Sequence, residues 1–170
     1  MRKEMEGLLG KGDSLVRTEH RSKLPYCSAV LMELQRCANI LPSNLPRTVN
    51  KDVVIGGFKV KAGTAVIPQI SSVLWDEKVF PEPTSFKPER FIDSNGQVKS
   101  VDEWLPFSIG ARRCPGESLA RMELFLFLTN IVRHFEIVAD ESAPLPSMTK
   151  TATTVTKPEA HTVRLIPVHF

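Results

Sequence analysis

The sequence predicts a mainly helical α+β fold, and three observations predict it. Two apolar stretches, residues 26–40 and 117–135, have the spacing of helices long enough to be buried. Between them, short β-branched runs are separated by Gly56-Gly57 and Ala62-Gly63, which read as the turns of small strands. A proline-rich run over 80–91 and short strand signals near the end supply the irregular remainder. At 170 residues the length suits one domain with a real core, and a hydrophobic fraction of 42% argues against disorder.

Residues 1–9 read as a helix, with Met5, Leu8 and Leu9 at helical spacing, broken by Gly10-Lys11-Gly12-Asp13. A helix that starts at the first residue without a capping sequence suggests a chain beginning inside a larger architecture. Pro25 suits the first turn of the next helix, where its missing N–H costs nothing, and the helix runs from Tyr26 to Ile40. Its only charged residues, Glu33 and Arg36, share one face at i and i+3. On a buried helix such a pair must be fully hydrogen-bonded.

Leu41 to Pro46 form a short connection to Arg47. Asp52 to Ile55 and Phe58 to Val60 form a hairpin with a primed turn, and Thr64 to Ile67 a further strand. Ser71 or Ser72 is expected to cap a short helix reaching Trp75. The run 80–91 has too little regular hydrogen bonding to hold itself, so side chains must tie it down. Asp93-Ser94-Asn95-Gly96 is an exposed turn. After the second long helix come a strand over 135–138, mixed loop and weak strand over 142–157, and a last strand over 162–168.

Composition excludes several classes. The net charge of +3 comes without a Lys/Arg run, which speaks against nucleic acid. Cys27, Cys37 and Cys114 form no C-x-x-C pair, so neither a disulfide framework nor a zinc site is indicated. The four histidines, at 20, 134, 161 and 169, show no ligand spacing. The charged start, Met1 to Glu6, is no signal peptide, and the longest apolar run, Leu124 to Leu128, is too short to span a bilayer. These features point to a reducing, cytosol-facing protein with no membrane span in this chain.

The chemistry concentrates in Leu105 to Gly116. Here a loop with two glycines delivers Cys114 to the first turn of the helix Glu117 to Phe135. Free N–H groups and the helix dipole at that place favour a thiolate, hence a nucleophile or a metal ligand. Gly110 and Gly116 allow unusual φ/ψ and let something flat approach the backbone. Phe107 offers an aromatic wall and Arg112 a fixed cation. An apolar wall, a carboxylate-seeking guanidinium and an axial sulfur together describe a cradle for a haem. A buried structural cysteine is the ordinary alternative, but it does not explain the flanking pattern. A phosphatase-type loop needs Arg six residues after the cysteine; position 120 is Ala and Arg121 is one too far.

The pattern Phe107-x-x-Gly110-x-Arg112-x-Cys114-x-Gly116 resembles the haem-binding loop of the cytochrome P-450 family, the haem-thiolate monooxygenases. Glu33-x-x-Arg36 resembles that family's Glu-x-x-Arg helix, and Pro88-Glu89-Arg90-Phe91 its Pro-Glu-Arg-Phe segment. The three motifs occur in family order, and the likeness covers essentially the whole chain. The hairpin region and Ala120 to Leu124 look most like microsomal, animal-type members. The resemblance implies that residues 1–170 are a partial domain, the C-terminal third of the fold. The family's anchor and its oxygen-activating acid–alcohol helix have no counterpart in this sequence.

The resemblance also implies roles. Cys114 would be the axial thiolate to the iron of heme b (iron protoporphyrin IX). Phe107, Gly110, Arg112, Gly116 and Arg47 would complete the cofactor site, with Arg47 and Arg112 on the propionates. Glu33, Arg36 and Arg90 would form a buried triad behind it. The implied reaction inserts one oxygen atom from O2 into a small apolar substrate, with electrons from an NADPH-dependent flavoprotein reductase. Arg113 and Lys99 would belong to the docking surface, and residues 41–46 and 151–155 would border the substrate pocket. The implied location is the cytoplasmic face of the endoplasmic reticulum membrane, or the cytoplasm for this chain alone. The alternative is a truncated, non-catalytic remnant with weak or no haem binding.

Overall fold

The computed structural model describes residues 1–10, 15–145, 150–151 and 155–168. Helices dominate. The first, α1 (Arg2–Leu8), is followed by a 3-10 turn, Thr18–Lys23, and by α2 (Pro25–Ala38). Pro25 stands at the start of α2, as its fixed φ and missing N–H favour. The helix stops two residues before the expected Ile40, because Asn39 turns into the left-handed region at φ 41°.

Four short strands come next: β1 (Arg47–Thr48), β2 (Val53–Ile55), β3 (Phe58–Val60) and β4 (Ala65–Val66). β2 and β3 pair as the expected hairpin, with Gly56 and Gly57 both at positive φ, as a type I′ turn requires. β1 pairs antiparallel with β4, Arg47 opposite Val66 and Thr48 opposite Ala65, a contact across 19 and 17 positions that no local pattern announces. 

The short helix α3 (Ile70–Leu74) corrects one expectation: Ser71 and Ser72 lie inside it, and Gln69 stands before it. Both hydroxyls have other work. Ser71 Oγ donates to Pro42 O (2.5 Å) and Ser72 Oγ to Gln69 O (2.6 Å). The second long helix, α4, spans Glu117–His134, and β5 (Phe135–Ala139) leaves it directly. β6 (Lys150–Thr151) pairs with β7 (Lys157–Pro158), and β5 pairs over five residues with β8 (Val163–Pro167). Residues 152–154, within the expected pocket border, lie outside the described part.

α2 lies between two core clusters. Leu24, Cys27 and Leu31 pack with Met5, Leu9, Val16 and Phe125, while Ala29 packs with Leu74, Phe80, Phe91 and Trp104. In the second cluster Phe91 meets Phe80 and Trp104, each with ring centroids 6.2 Å apart. The buried Trp104 Nε1 donates to Met32 O at 3.0 Å, so its polar atom is satisfied.

The proline-rich run is tied to α2 by charge. Glu33 and Arg36 are both fully buried. Arg36 donates to Glu33 through Nε (2.7 Å) and Nη2 (2.9 Å), and Arg90 Nε donates to the same carboxylate at 3.1 Å. The two guanidiniums then reach carbonyls of the run itself. Arg36 Nη2 meets Pro83 O at 2.8 Å, and Arg90 Nη1 meets Pro81 O at 3.0 Å. Carbonyls with no strand or helix partner thus find side-chain donors.

Two polar residues of α1 brace the long helices. Glu4 accepts from the N–H groups of Tyr26 (2.7 Å) and Cys27 (2.8 Å), capping α2, where Leu24 offers no side-chain cap. Arg2 donates to Val132 O and Phe135 O at the far end of α4. Asn130 and Val16 add a reciprocal pair, with Val16 N–H on Asn130 Oδ1 (2.9 Å) and Asn130 Nδ2 on Val16 O (3.0 Å).

Candidate functional site

The cysteine loop runs from Trp104 to α4 as turns and one short 3-10 segment, Gly110–Arg112. Cys114 does not reach the first turn of α4, which corrects the expected placement: the helix starts at Glu117 with Gly116 before it. Pro115 is the cause, because a following proline disfavours the α conformation. The loop holds Cys114 in another way, through its N–H donating to Phe107 O at 2.9 Å.

Gly110 takes φ 78°, where a side chain would be strained. Gly116 has an ordinary φ of −88°, so unusual backbone geometry is not its role. A Cβ there would meet only Cys114 Sγ, at 3.9 Å, and the space beside the sulfur is otherwise open.

Of the three cysteines, Cys114 is exposed and Cys27 is buried. Burial, followed by the Glu4 carboxylate, pushes the Cys27 thiol far up, so it stays protonated and is a poor ligand. Cys37 receives a hydrogen bond from Arg36 Nη2 at 3.1 Å.

Cys114 borders a cavity of about 1620 Å3. Arg47, Phe107 and Arg112 border it too, so four of the predicted site residues share one space. Strand β1 places Arg47, whose Nη2 donates to Arg112 O (3.2 Å) and Ser108 Oγ (3.3 Å). Among the described residues neither Arg47 nor Arg112 meets a carboxylate. Ala120, Leu124 and Phe127 of α4 form an apolar wall, and Leu41 and Leu45 lie at the rim. Arg113 lies at the same cavity, 3.8 Å from Glu117, whereas Lys99 lines a separate cavity with Arg21 and Asp102. The triad contributes to neither.

Sequence reasoning missed the α4 wall, although positions 120, 124 and 127 have helical spacing and face one way. It held Asn44 only as part of the expected border 41–46, and it missed Ser108. Nothing in their local sequence announces that Asn44 Nδ2 reaches Ser108 Oγ, 2.8 Å away across 64 positions.

The family model for Cytochrome P450 matches residues 1–165. The chain belongs to the cytochrome P450 family. Cytochrome P450 2C3 of Oryctolagus cuniculus is 42% identical over 137 residues, which cover 81% of this chain and 28% of the relative. Cytochrome P450 2A3 of Rattus norvegicus is 47% identical over 132 residues, 78% of this chain and 26% of the relative. Cytochrome P450 2C44 of Mus musculus is 45% identical over 148 residues, 86% of this chain and 30% of the relative. The chain thus spans less than a third of the length of these P450 relatives.

The P450 family implies a haem, and the residues present fit one. The cavity exceeds the roughly 300–1,000 Å3 usual for small-ligand pockets. Its wall carries an exposed thiol, aromatic and aliphatic surface, and two guanidiniums that face no acid. These are the donors a flat, apolar dicarboxylate with a soft axial site requires. No helix among the described residues is long and apolar enough to cross a membrane.

Proposed function

We propose that this chain is the cofactor-holding C-terminal portion of a haem-thiolate monooxygenase, within a partial P450 domain over 1–170. The single observation that carries this reading is the exposed Cys114 on the wall of a large cavity shared with Arg47 and Arg112. Bound haem b would supply the iron at which O2 is reduced and one oxygen atom transferred. The chain's own residues hold and shield it. Cys114 would be the axial thiolate, and Phe107 would cover the sulfur from water. Arg47 and Arg112 would neutralise the propionates, and the small Gly110 and Gly116 would admit the ring edge. Behind the loop, Glu33, Arg36 and Arg90 would fix the proline-rich run against which Trp104 packs.

The substrate class we assign is a small apolar organic molecule, in keeping with Leu41, Leu45 and Phe127 along the cavity. Electrons would come from an NADPH-dependent flavoprotein reductase, with exposed Arg113 in its docking surface. The location we assign is the cytoplasmic face of the endoplasmic reticulum membrane. Exposed Phe127 favours a second reading for the 170-residue chain on its own, as a remnant that holds haem weakly or not at all.

The test is spectroscopic. In the full-length gene product, Cys114→Ser should abolish the strongly red-shifted Soret band of the reduced carbon monoxide complex. Retention of that band would move the ligand to another cysteine and overturn the assignment.

A further inference from the structure

The smaller cavity, about 870 Å3, has no part in the roles above. It lies between the 3-10 turn Thr18–Lys23, α2, residues 98–104 and α4, and Arg21, Lys99 and Arg121 bring three cations to its wall. Two acids border it as well. Glu19 stands 4.0 Å from His20, Asp102 is exposed, and among the described residues neither pairs with those cations.

Arg21 is a half-buried cation without an acid. Among the described residues its guanidinium makes no hydrogen bond or ion pair; it lies over the Phe125 ring, 5.8 Å from the centroid. Burial, and then the charge of Arg121, hold its pKa below the ordinary value. Two like charges thus border one space. Arg121 meets Glu117 through Nη2 at 2.6 Å, but its Nε is buried with no partner. Its guanidinium is fixed over Trp104, 4.4 Å from the ring centroid.

α2 adds the observation that points to a ligand. Ser28 is 8% exposed, yet its hydroxyl has no hydrogen-bond partner among the described residues, and it lines the same cavity. A buried polar donor ordinarily has an acceptor. Here that donor, two guanidiniums and the exposed Lys99 ammonium come from four segments to one place. A planar carboxylate offers two oxygens and a phosphate three, so donors spread this widely match the tetrahedral group. The space is also larger than an inorganic ion needs, and Met32, Val101 and Trp104 give it apolar surface.

We propose that this cavity binds a phosphate monoester with an apolar or aromatic body, its phosphoryl oxygens on Arg21, Arg121 and Ser28. Lys99 adds charge at the exposed side. The site owes nothing to the haem reading, so either can fail without the other.

The experiment titrates the full-length gene product with phenyl phosphate and, separately, with inorganic phosphate, at constant ionic strength. Calorimetry reads the binding with or without haem. The ester should bind one to one and about tenfold more tightly than the inorganic ion, the worth of a buried ring. Arg21→Gln and Ser28→Ala should each weaken it about tenfold, the scale of one hydrogen bond to a charged group. Lys59→Gln, which removes a charge from exposed β3, should change it by less than about twofold.

Without ligand, Ser28→Ala should melt no lower than the parent, because the hydroxyl it removes has no partner to lose. A lower melt would reveal such a partner and overturn the proposal. So would an affinity unmoved by Arg21→Gln, or one weakened equally by Lys59→Gln. Equal affinity for the two anions would overturn the assignment of an ester. A shift of the Soret band on adding phenyl phosphate would place it in the haem cavity and overturn the site.

Discussion

At the scale of single residues, Glu33 decides most. Its buried carboxylate receives Arg36 twice, Arg90 once and the Lys87 N–H (2.9 Å). Burial alone would raise its pKa, but the Arg36 hydrogen bonds, the Lys87 N–H and the two cations together bring it below the ordinary value of 4.5. The sign follows from linkage. A carboxyl with a depressed folded pKa binds its proton first in the unfolded chain. Its stabilisation is therefore complete above the ordinary value and is lost as pH falls toward the folded one. Glu33→Ala leaves the buried Arg36 guanidinium, and the partly buried Arg90 beside it, without their acid, at a cost on the order of 3–5 kcal/mol. That is a large share of the roughly 5–15 kcal/mol by which domains are stable. Thermal melting of the full-length gene product should show aggregated, haem-free variant. Soluble, haem-loaded Glu33→Ala melting near the parent would contradict the burial of this network. A parent whose melting point stays flat below pH 4.5 would contradict the linkage.

At the scale of elements, α1 matters beyond its own length. Glu4 gives α2 the cap that its own sequence lacks, and losing a cap costs about 0.5–2 kcal/mol. Glu4→Ala should therefore lower the melting temperature by a few degrees, while the reduced carbon monoxide band keeps its position. An unchanged melt would mean that water replaces Glu4 at no cost. The same element shows what the sequence could and could not disclose. Helix periodicity, the Gly-Gly turn and the lone charged pair on α2 depend on neighbours a few residues away, so they could be read directly. The cap from Glu4 to Tyr26, the pairing of Arg47 with Val66, and the tie from Asn44 to Ser108 join residues 22, 19 and 64 apart. Each depends on the completed fold. The start of α4 at Glu117 was legible, but the place of Cys114 was not: it is expected in the first turn, whereas Pro115 holds it out of the helix.

At the scale of the whole molecule, polar ties and apolar exposure stand side by side. Phe127 is 66% exposed, Leu41 46% and Leu45 71%, all lining the open cavity. Apolar surface gathered at one place calls for a covering. The 170-residue chain prepared alone should therefore bind the dye ANS. Given haem, NADPH and reductase, it should form no product in step with NADPH consumed, because a wet site loses reactive oxygen to side reactions. Coupled oxidation that depends on Cys114 would overturn this expectation. The position of α2 between two cores has a different kind of consequence. Cys27 and Leu31 answer to one set of neighbours and Ala29 to another, within a single rigid rod. A substitution that enlarges one side moves the rod against the other, so improvements cannot be accumulated on the two sides independently. Of all the segments described, α2 has the least freedom to drift: whatever changes there must be acceptable twice.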